Sequence, residues 1–470
     1  MYASMKSHKP TPNHFSMVRG CHGAAHRAGL PLACAAIWFL LAGYGCVWPS
    51  RAQAENWPQW RGPQGNSQSG ETDLPLAWND TQGIVWKTAL PEWGDSTPAI
   101  WGDAIFLTSH KDDDLLLTKV NKKTGAIEWT KTVGQGNVQR IPISAKSNQE
   151  RRQQKFHPLQ NLASPSPVTD GKTVVIHFGN GLLAAYNFAG EKIWEHNLQE
   201  EYGTYTIWWG HANSPVLFKN TVISVCMQDS LADFAEKPTE SYLVAHDLTS
   251  GKVVWRTLRM TSAKAEECDA YTTPVLHAVG DKTELILMGG NQLDAYDPAT
   301  GKQLWFLPNI VGGRTVHSPT AWQDLVFVTQ GKSGPMLAVK LAGASGERSR
   351  ESAVAWRDAS GTPDTCCPVV SGEFLFTLTD SGISKCFEAR TGQMKWKERV
   401  KGEYKASPLA AEGRIYYLNT HGLCTVVSAG ERFERLSENQ LDEDTIASPA
   451  VSDGRIFIRG KKNLYCLGKP

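Results

Sequence analysis

Two indoles, a glycine and an imidazole stand together at Trp208-Trp209-Gly210-His211. An indole face stacks on a planar ligand and an imidazole hydrogen-bonds to it, so the group has the chemistry of a binding site. Neighbouring side chains of an extended segment point to opposite sides. That predicts one indole in the core and one exposed, with a stacking pair as the alternative. Glu267, Asp269, Arg314, His317 and Lys405, with the doublet Cys366-Cys367, are further candidates of mixed charge and chemistry. Gathered together, they make a polar, aromatic-lined depression fit for a ligand; left apart, they are solvated loop charges or core groups. No catalytic residue and no metal site is expected. The chain has no P-loop, zincin helix, nucleophile elbow or Cys-x-x-Cys spacing. Asp112-Asp113-Asp114 lacks the glycine and closing glutamate of a calcium loop.

Such residues come together only if the chain returns repeatedly to one place, and its repeats predict that it does. The stretch Asp297-Pro298-Ala299-Thr300-Gly301-Lys302-Gln303-Leu304-Trp305 has counterparts at Gly125…Trp129, Gly190…Trp194, Gly251…Trp255 and Gly392…Trp396. Asn121, Asp247 and Asp297 each precede a Thr or Ser by three residues. This pattern predicts a strand, a tight turn and a second strand. The Asx side chain satisfies the turn backbone, glycine takes the positive φ, and the Trp packs beneath the next unit. Cys386, Cys424 and Cys466 hold the repeat position of Ala245 and Ala295 and read as small buried groups.

A second mark opens each unit: a small or polar residue, a proline, then an alternating apolar run. It occurs at Pro98, Pro167, Pro215, Pro274, Pro319, Pro368, Pro408 and Pro449. Each unit holds about four short strands, the content of one propeller blade. The last unit ends one strand short at Leu464-Tyr465-Cys466-Leu467, and Ile84-Val85-Trp86-Lys87-Thr88 is free upstream to complete it. The expected fold is all-β, an eight-bladed propeller over residues 84–470 closed by an N-terminal strand, after an extension at 55–83. The innermost strand of a blade starts near the central channel, so residues just before the prolines should converge on the channel mouth.

The Asx-x-x-Thr-Gly-x-x-x-Trp elements resemble the pyrroloquinoline-quinone (PQQ) type of propeller repeat. That group includes periplasmic quinoprotein alcohol dehydrogenases and the outer-membrane assembly lipoprotein BamB. Trp57-Pro58-Gln59-Trp60-Arg61-Gly62-Pro63 is similar to the opening signature of secreted PQQ-binding-like propellers. The resemblance covers residues 56–469. It implies eight blades and, on the dehydrogenase side, PQQ with calcium held by acidic and amide side chains, a tryptophan beneath the quinone and a disulfide between neighbouring cysteines against it. Cys366-Cys367 matches that doublet in composition only, because it lies at the proline mark of the sixth unit. A calcium ligand set does not align, and no haem-attaching Cys-x-x-Cys-His is present. One scaffold of this kind hosts unrelated activities.

Residues 1–54 carry Lys6, Lys9, Arg19, Arg27 and Arg51 without an acid, then an uncharged apolar run and Ala52-Gln53-Ala54. This order reads as an export signal cleaved after Ala54, with an uncleaved anchor as the alternative. A net charge of +1 leaves no footprint for nucleic acid. Residues 139–160 form a basic insertion with Arg140, Lys146, Arg151, Arg152 and Lys155 against Glu150, either a docking loop or a solvated one. The expectation is an exported, monomeric binding scaffold that engages a protein or small ligand at the channel mouth, in envelope protein assembly. The alternative is a PQQ-dependent alcohol or sugar dehydrogenase, and a sensor domain is a third reading.

Overall fold

The computed structural model describes residues 55–79, 81–137, 157–228, 240–310, 312–329, 331, 334–359 and 361–469, all within one compact unit. The expected export signal and most of the basic insertion lie outside the described residues. The fold is all-β. Eight antiparallel meanders occupy 99–135, 168–197, 216–258, 275–307, 320–358, 369–399, 409–440 and 450–467. We number them blades 1 to 8. Each proline mark precedes the first strand of a blade, and first strands of neighbouring blades lie against one another around the channel. Blade 8 is completed by Ile84–Ala89, antiparallel to Asn463–Leu467, as expected. The ring therefore has no open edge where its ends meet.

The repeat signature forms a belt that joins blades. At Gly125, Gly251 and Gly301 the backbone takes φ of +74°, +71° and +70°, and a Cβ would strike Trp86, Trp194 and Trp255 of the preceding blade at 2.4–2.7 Å. The close approach and the left-handed backbone both require glycine. Each indole also donates to a carbonyl of the next blade: Trp86 Nε1 to Lys122 O at 3.0 Å, Trp194 Nε1 to Leu248 O at 2.9 Å, Trp255 Nε1 to Pro298 O at 3.1 Å. Trp356 and Trp396 do the same toward Ala389 and Gly430. Trp305 departs from the pattern and donates to Glu284 within blade 4. Across the strand from these rings sit small residues, Ala245 opposite Trp255, Cys386 opposite Trp396 and Cys466 opposite Trp86. A larger side chain there would displace the indole.

A second ring of contacts lies at the channel itself, built from the residue before each proline. The backbone N–H of Thr97 donates to Ser166 Oγ, Ser166 to Ser214, Ser214 to Thr273 and Thr273 to Ser318, at 2.7–3.0 Å. Ser318 N–H donates to Cys367 Sγ at 3.2 Å, Cys367 N–H to Ser407 Oγ at 3.1 Å, and Ser407 N–H to Ser448 Oγ at 3.0 Å. Thr97 Oγ1–H closes the circle on Ser448 O at 3.2 Å. A proline cannot donate, so the residue before it must carry both the N–H and a short acceptor side chain. This is why the mark reads Ser, Thr or Cys.

Residues 55–74 cross the opposite face of the ring. Trp57 is fully buried and exchanges both backbone hydrogen bonds with Ile100 of blade 1. Pro58 O accepts from Thr169 N of blade 2, Gln68–Ser69 runs parallel to Leu409–Ala411 of blade 7, and Glu71 accepts from Asp453 N and Gly454 N of blade 8. Arg61 is buried and donates to Pro319 O at 2.8 Å, Thr320 Oγ1 at 2.6 Å and Pro368 O at 3.2 Å. Gly62 has φ +80°, and a Cβ would enter the Trp57 ring. The Trp-Pro-Gln-Trp-Arg-Gly-Pro stretch is thus a plate fastened to the first strands of opposite blades.

Candidate functional site

The channel is a cup of about 440 Å³. Its middle wall is the hydroxyl ring, with Thr97, Ser166, Ser214, Thr273 and Ser448, and its floor is Trp60 of the N-terminal plate. Above the ring, the segments before blades 1, 2, 3, 4, 5 and 7 deliver Asp95, His157, Trp209, Tyr271, Arg314 and Lys405. Lys405 Nζ pairs with Asp380 at 2.6 Å and Arg314 with Asp364 at 3.1 Å, both part-exposed. His157 is edge-on to Trp209, with ring centroids 5.8 Å apart. Burial, then the nearby charges of Lys405 and Arg314, hold the His157 imidazole below its ordinary range. The cup therefore holds two cationic side chains, Arg314 and Lys405, with the His157 imidazole near them, while Asp95 and Glu266 line it from other segments.

Of the candidates read from the sequence, Trp209, Arg314 and Lys405 line the cup. Trp208 does not. Its ring stands at 68° to that of Trp209, so the two indoles form no parallel pair, and the backbone N–H of Trp208 donates to the buried Asp269 carboxylate at 2.8 Å. The backbone N–H of Trp209 donates to Tyr271 Oη at 3.1 Å. Glu267 lies on a side recess beside Arg314 and accepts from Asn291 Nδ2 at 2.8 Å. His211 and His317 are buried in the blades, one bonded to Val225 O at 3.0 Å, the other accepting from Thr329 N at 2.8 Å. Burial pushes both imidazoles down to about 4. Cys366 packs in the core, where burial raises its thiol well above the ordinary range, and Cys367 serves in the inter-blade ring. Both thiols are free.

Trp60, Gln160 and Glu266 also line the cup and were not among the expected residues. Trp60 was visible as part of a signature, but nothing in its spacing says that the segment folds back under the ring.

The fit of this cup to calcium-bound PQQ is poor. Its carboxylates come from different segments, and no three His, Cys, Asp or Glu ligand atoms meet there among the described residues. The cysteine doublet belongs to the wall rather than the cavity.

Fold and site define an eight-bladed propeller with a floored, aromatic and cationic channel cup. The chain belongs to the family described as "Outer membrane protein assembly factor BamB", which matches residues 67–235, 239–349 and 348–439. Among solved structures it is similar to BamB from Moraxella catarrhalis, at 13% identity and TM-score 0.56, covering 82% of this chain and 97% of that one. It is also similar to quinohemoprotein alcohol dehydrogenase from Comamonas testosteroni, at 12% identity and TM-score 0.61, covering 88% and 81%. A europium-containing methanol dehydrogenase matches at 11% identity and TM-score 0.60, covering 87% and 90%. These likenesses show the fold alone. No curated protein matches the sequence. Among the described residues no helix is long and apolar enough to cross a membrane.

Proposed function

We propose that this protein is an exported binding scaffold whose cup engages a small ligand or a segment of a partner protein at the channel mouth, with envelope protein assembly as its setting. One observation supports this reading above the others: separate blades aim Trp209, Tyr271, Arg314, Lys405 and His157 into one cavity floored by Trp60. An aromatic wall beside cationic groups suits a planar or extended ligand that carries an anionic group. The family match favours a partner protein; the dehydrogenase reading rests on fold likeness.

The test is calorimetric titration of the full chain with PQQ, a planar tricarboxylate, with and without calcium. Saturable binding independent of calcium, weakened at least about tenfold in Arg314→Ala and Trp209→Ala, is the expected result for a ligand cup. Strictly calcium-dependent binding with a shift in visible absorption would instead favour the oxidoreductase. An absence of heat would remove the small-ligand half of the proposal and leave the partner protein.

A further inference from the structure

Away from the cup, at the joint between blades 2 and 3, three residues meet that the channel chemistry does not use. His196 ends the outer strand Lys192–Asn197, Glu201 lies on the short helix Leu198–Tyr202 that follows, and His246 is in the third strand of blade 3, Tyr242–Asp247. One nitrogen from each imidazole and one Glu201 oxygen lie within 4.8 Å of one another. Among the described residues this is the one such grouping of three His, Cys, Asp or Glu ligand atoms.

Two hydrogen-bond facts make these three residues a candidate cation site. His196 Nε2 is 2.8 Å from Gly251 O, which only accepts, so Nε2 carries the hydrogen. His196 Nδ1 then faces Glu201 Oε1 at 2.7 Å. In the neutral ring that places a lone pair against a carboxylate, so either a proton or a metal ion must stand between or beside them. A ligating histidine characteristically donates its other N–H to a backbone carbonyl, the arrangement found here. Second, His246 is fully buried and neither of its ring nitrogens has a partner. Leaving a buried polar group unsatisfied costs about 1–3 kcal/mol, and a coordination bond would remove that cost at one of the two nitrogens. The His246 ring is 4.6 Å from that of His196 and stacks on Trp194 at 24°.

We propose that His196, Glu201 and His246 bind a divalent transition metal, zinc by chemistry, which fastens the outer strand of blade 2 to blade 3. Two imidazoles and a carboxylate suit zinc and disfavour calcium or magnesium, which take oxygen ligands. Zinc bonds of about 2.0–2.2 Å set the donors about 3.3 Å apart, so His196 Nδ1 and Glu201 Oε1, now at 2.7 Å, must part slightly while the set as a whole, now within 4.8 Å, contracts around the ion; the part-exposed Glu201 side chain is free to adjust. The fourth position is left to water.

The full, untagged chain, stripped with chelator, is titrated with zinc while heat and melting temperature are followed, and with cobalt as a spectroscopic probe. The expected result is a site taking one zinc that raises the melting temperature, unmoved by calcium or magnesium. Affinity should fall at least about tenfold in Glu201→Gln and in His196→Gln. Both replaced side chains are part-exposed, so the variants test binding without emptying the core. A melting temperature that ignores zinc, or an unchanged affinity in both variants, overturns the proposal. Cobalt bands that survive in both variants would likewise assign the metal to other histidines and end it.

Discussion

Cys367 holds a place that the other blades give to serine or threonine, and its thiol does the same work, accepting from Ser318 N–H and sitting one step before Ser407. The doublet looks like redox chemistry in a linear reading because two cysteines are adjacent. The structure assigns each a different neighbour. His211 and His317 carry a parallel lesson: both precede proline marks, yet each turns into the blade and bonds to backbone. Their burial has a consequence for acid stability. Both imidazoles titrate near 4 in the fold and near 6.5 in an unfolded chain. Above 6.5 neither state is protonated and nothing is lost. As pH falls from 6.5 toward 4 the unfolded chain takes up protons that the native fold refuses, so stability declines across that window. Urea midpoints between pH 7 and 4 should fall, with uptake of protons on unfolding. Replacing His317 by Gln should flatten the slope even if it lowers the whole curve.

At the scale of elements, the blade is held by an outer belt of indoles and an inner belt of hydroxyls, and the strand Ile84–Ala89 carries one indole of the outer belt across the closure. Trp86 is only half-buried, yet it packs on Gly125, donates to Lys122 O and touches the Phe457 ring at 5.9 Å. Trp86→Ala should cost roughly 3 kcal/mol, the low end for a truncated tryptophan, by removing the contact between blades 8 and 1. The check is the denaturant midpoint together with protease sensitivity of the N-terminal strand. Intact resistance with a lowered midpoint would mean that strand pairing alone keeps the ring shut. The belt was legible in the sequence, since Gly-x-x-x-Trp repeats. The hydroxyl ring was half-legible: its prolines were counted, but a hydrogen bond between blades cannot be read along one chain.

Across the whole molecule, the plate formed by residues 55–74 turns an open channel into a cup. Arg61 is its central fastening, a buried guanidinium that meets no carboxylate among the described residues and is held by oxygens of blades 5 and 6. Burial lowers its affinity for a proton below the usual range, an effect partly offset by the nearby Cys367. Arg61→Ala should remove at least about 3 kcal/mol, since each hydrogen bond to a charged group contributes about 1.5–3 kcal/mol. It should also loosen Trp60 and open the floor. Circular dichroism with unchanged sheet content, a lowered melting temperature and faster exchange at the Trp57 amide would bear this out. An unchanged melting temperature would mean that the plate is held by Trp57 and the Gln68–Ser69 pairing instead.

The sequence alone determined the blade count, the closing strand and the turn chemistry: the proline mark repeats eight times, the turn pattern spans residues a few positions apart, and the last unit is visibly one strand short. It also placed Trp209, Arg314 and Lys405 among the candidates, since they stand just before proline marks. The tertiary structure decided which pre-proline side chains face the cavity and which turn into the wall, because that depends on contacts between neighbouring blades. It alone brought Trp60 beneath the ring and His196 beside His246, pairings set by packing between blades rather than by spacing along the chain.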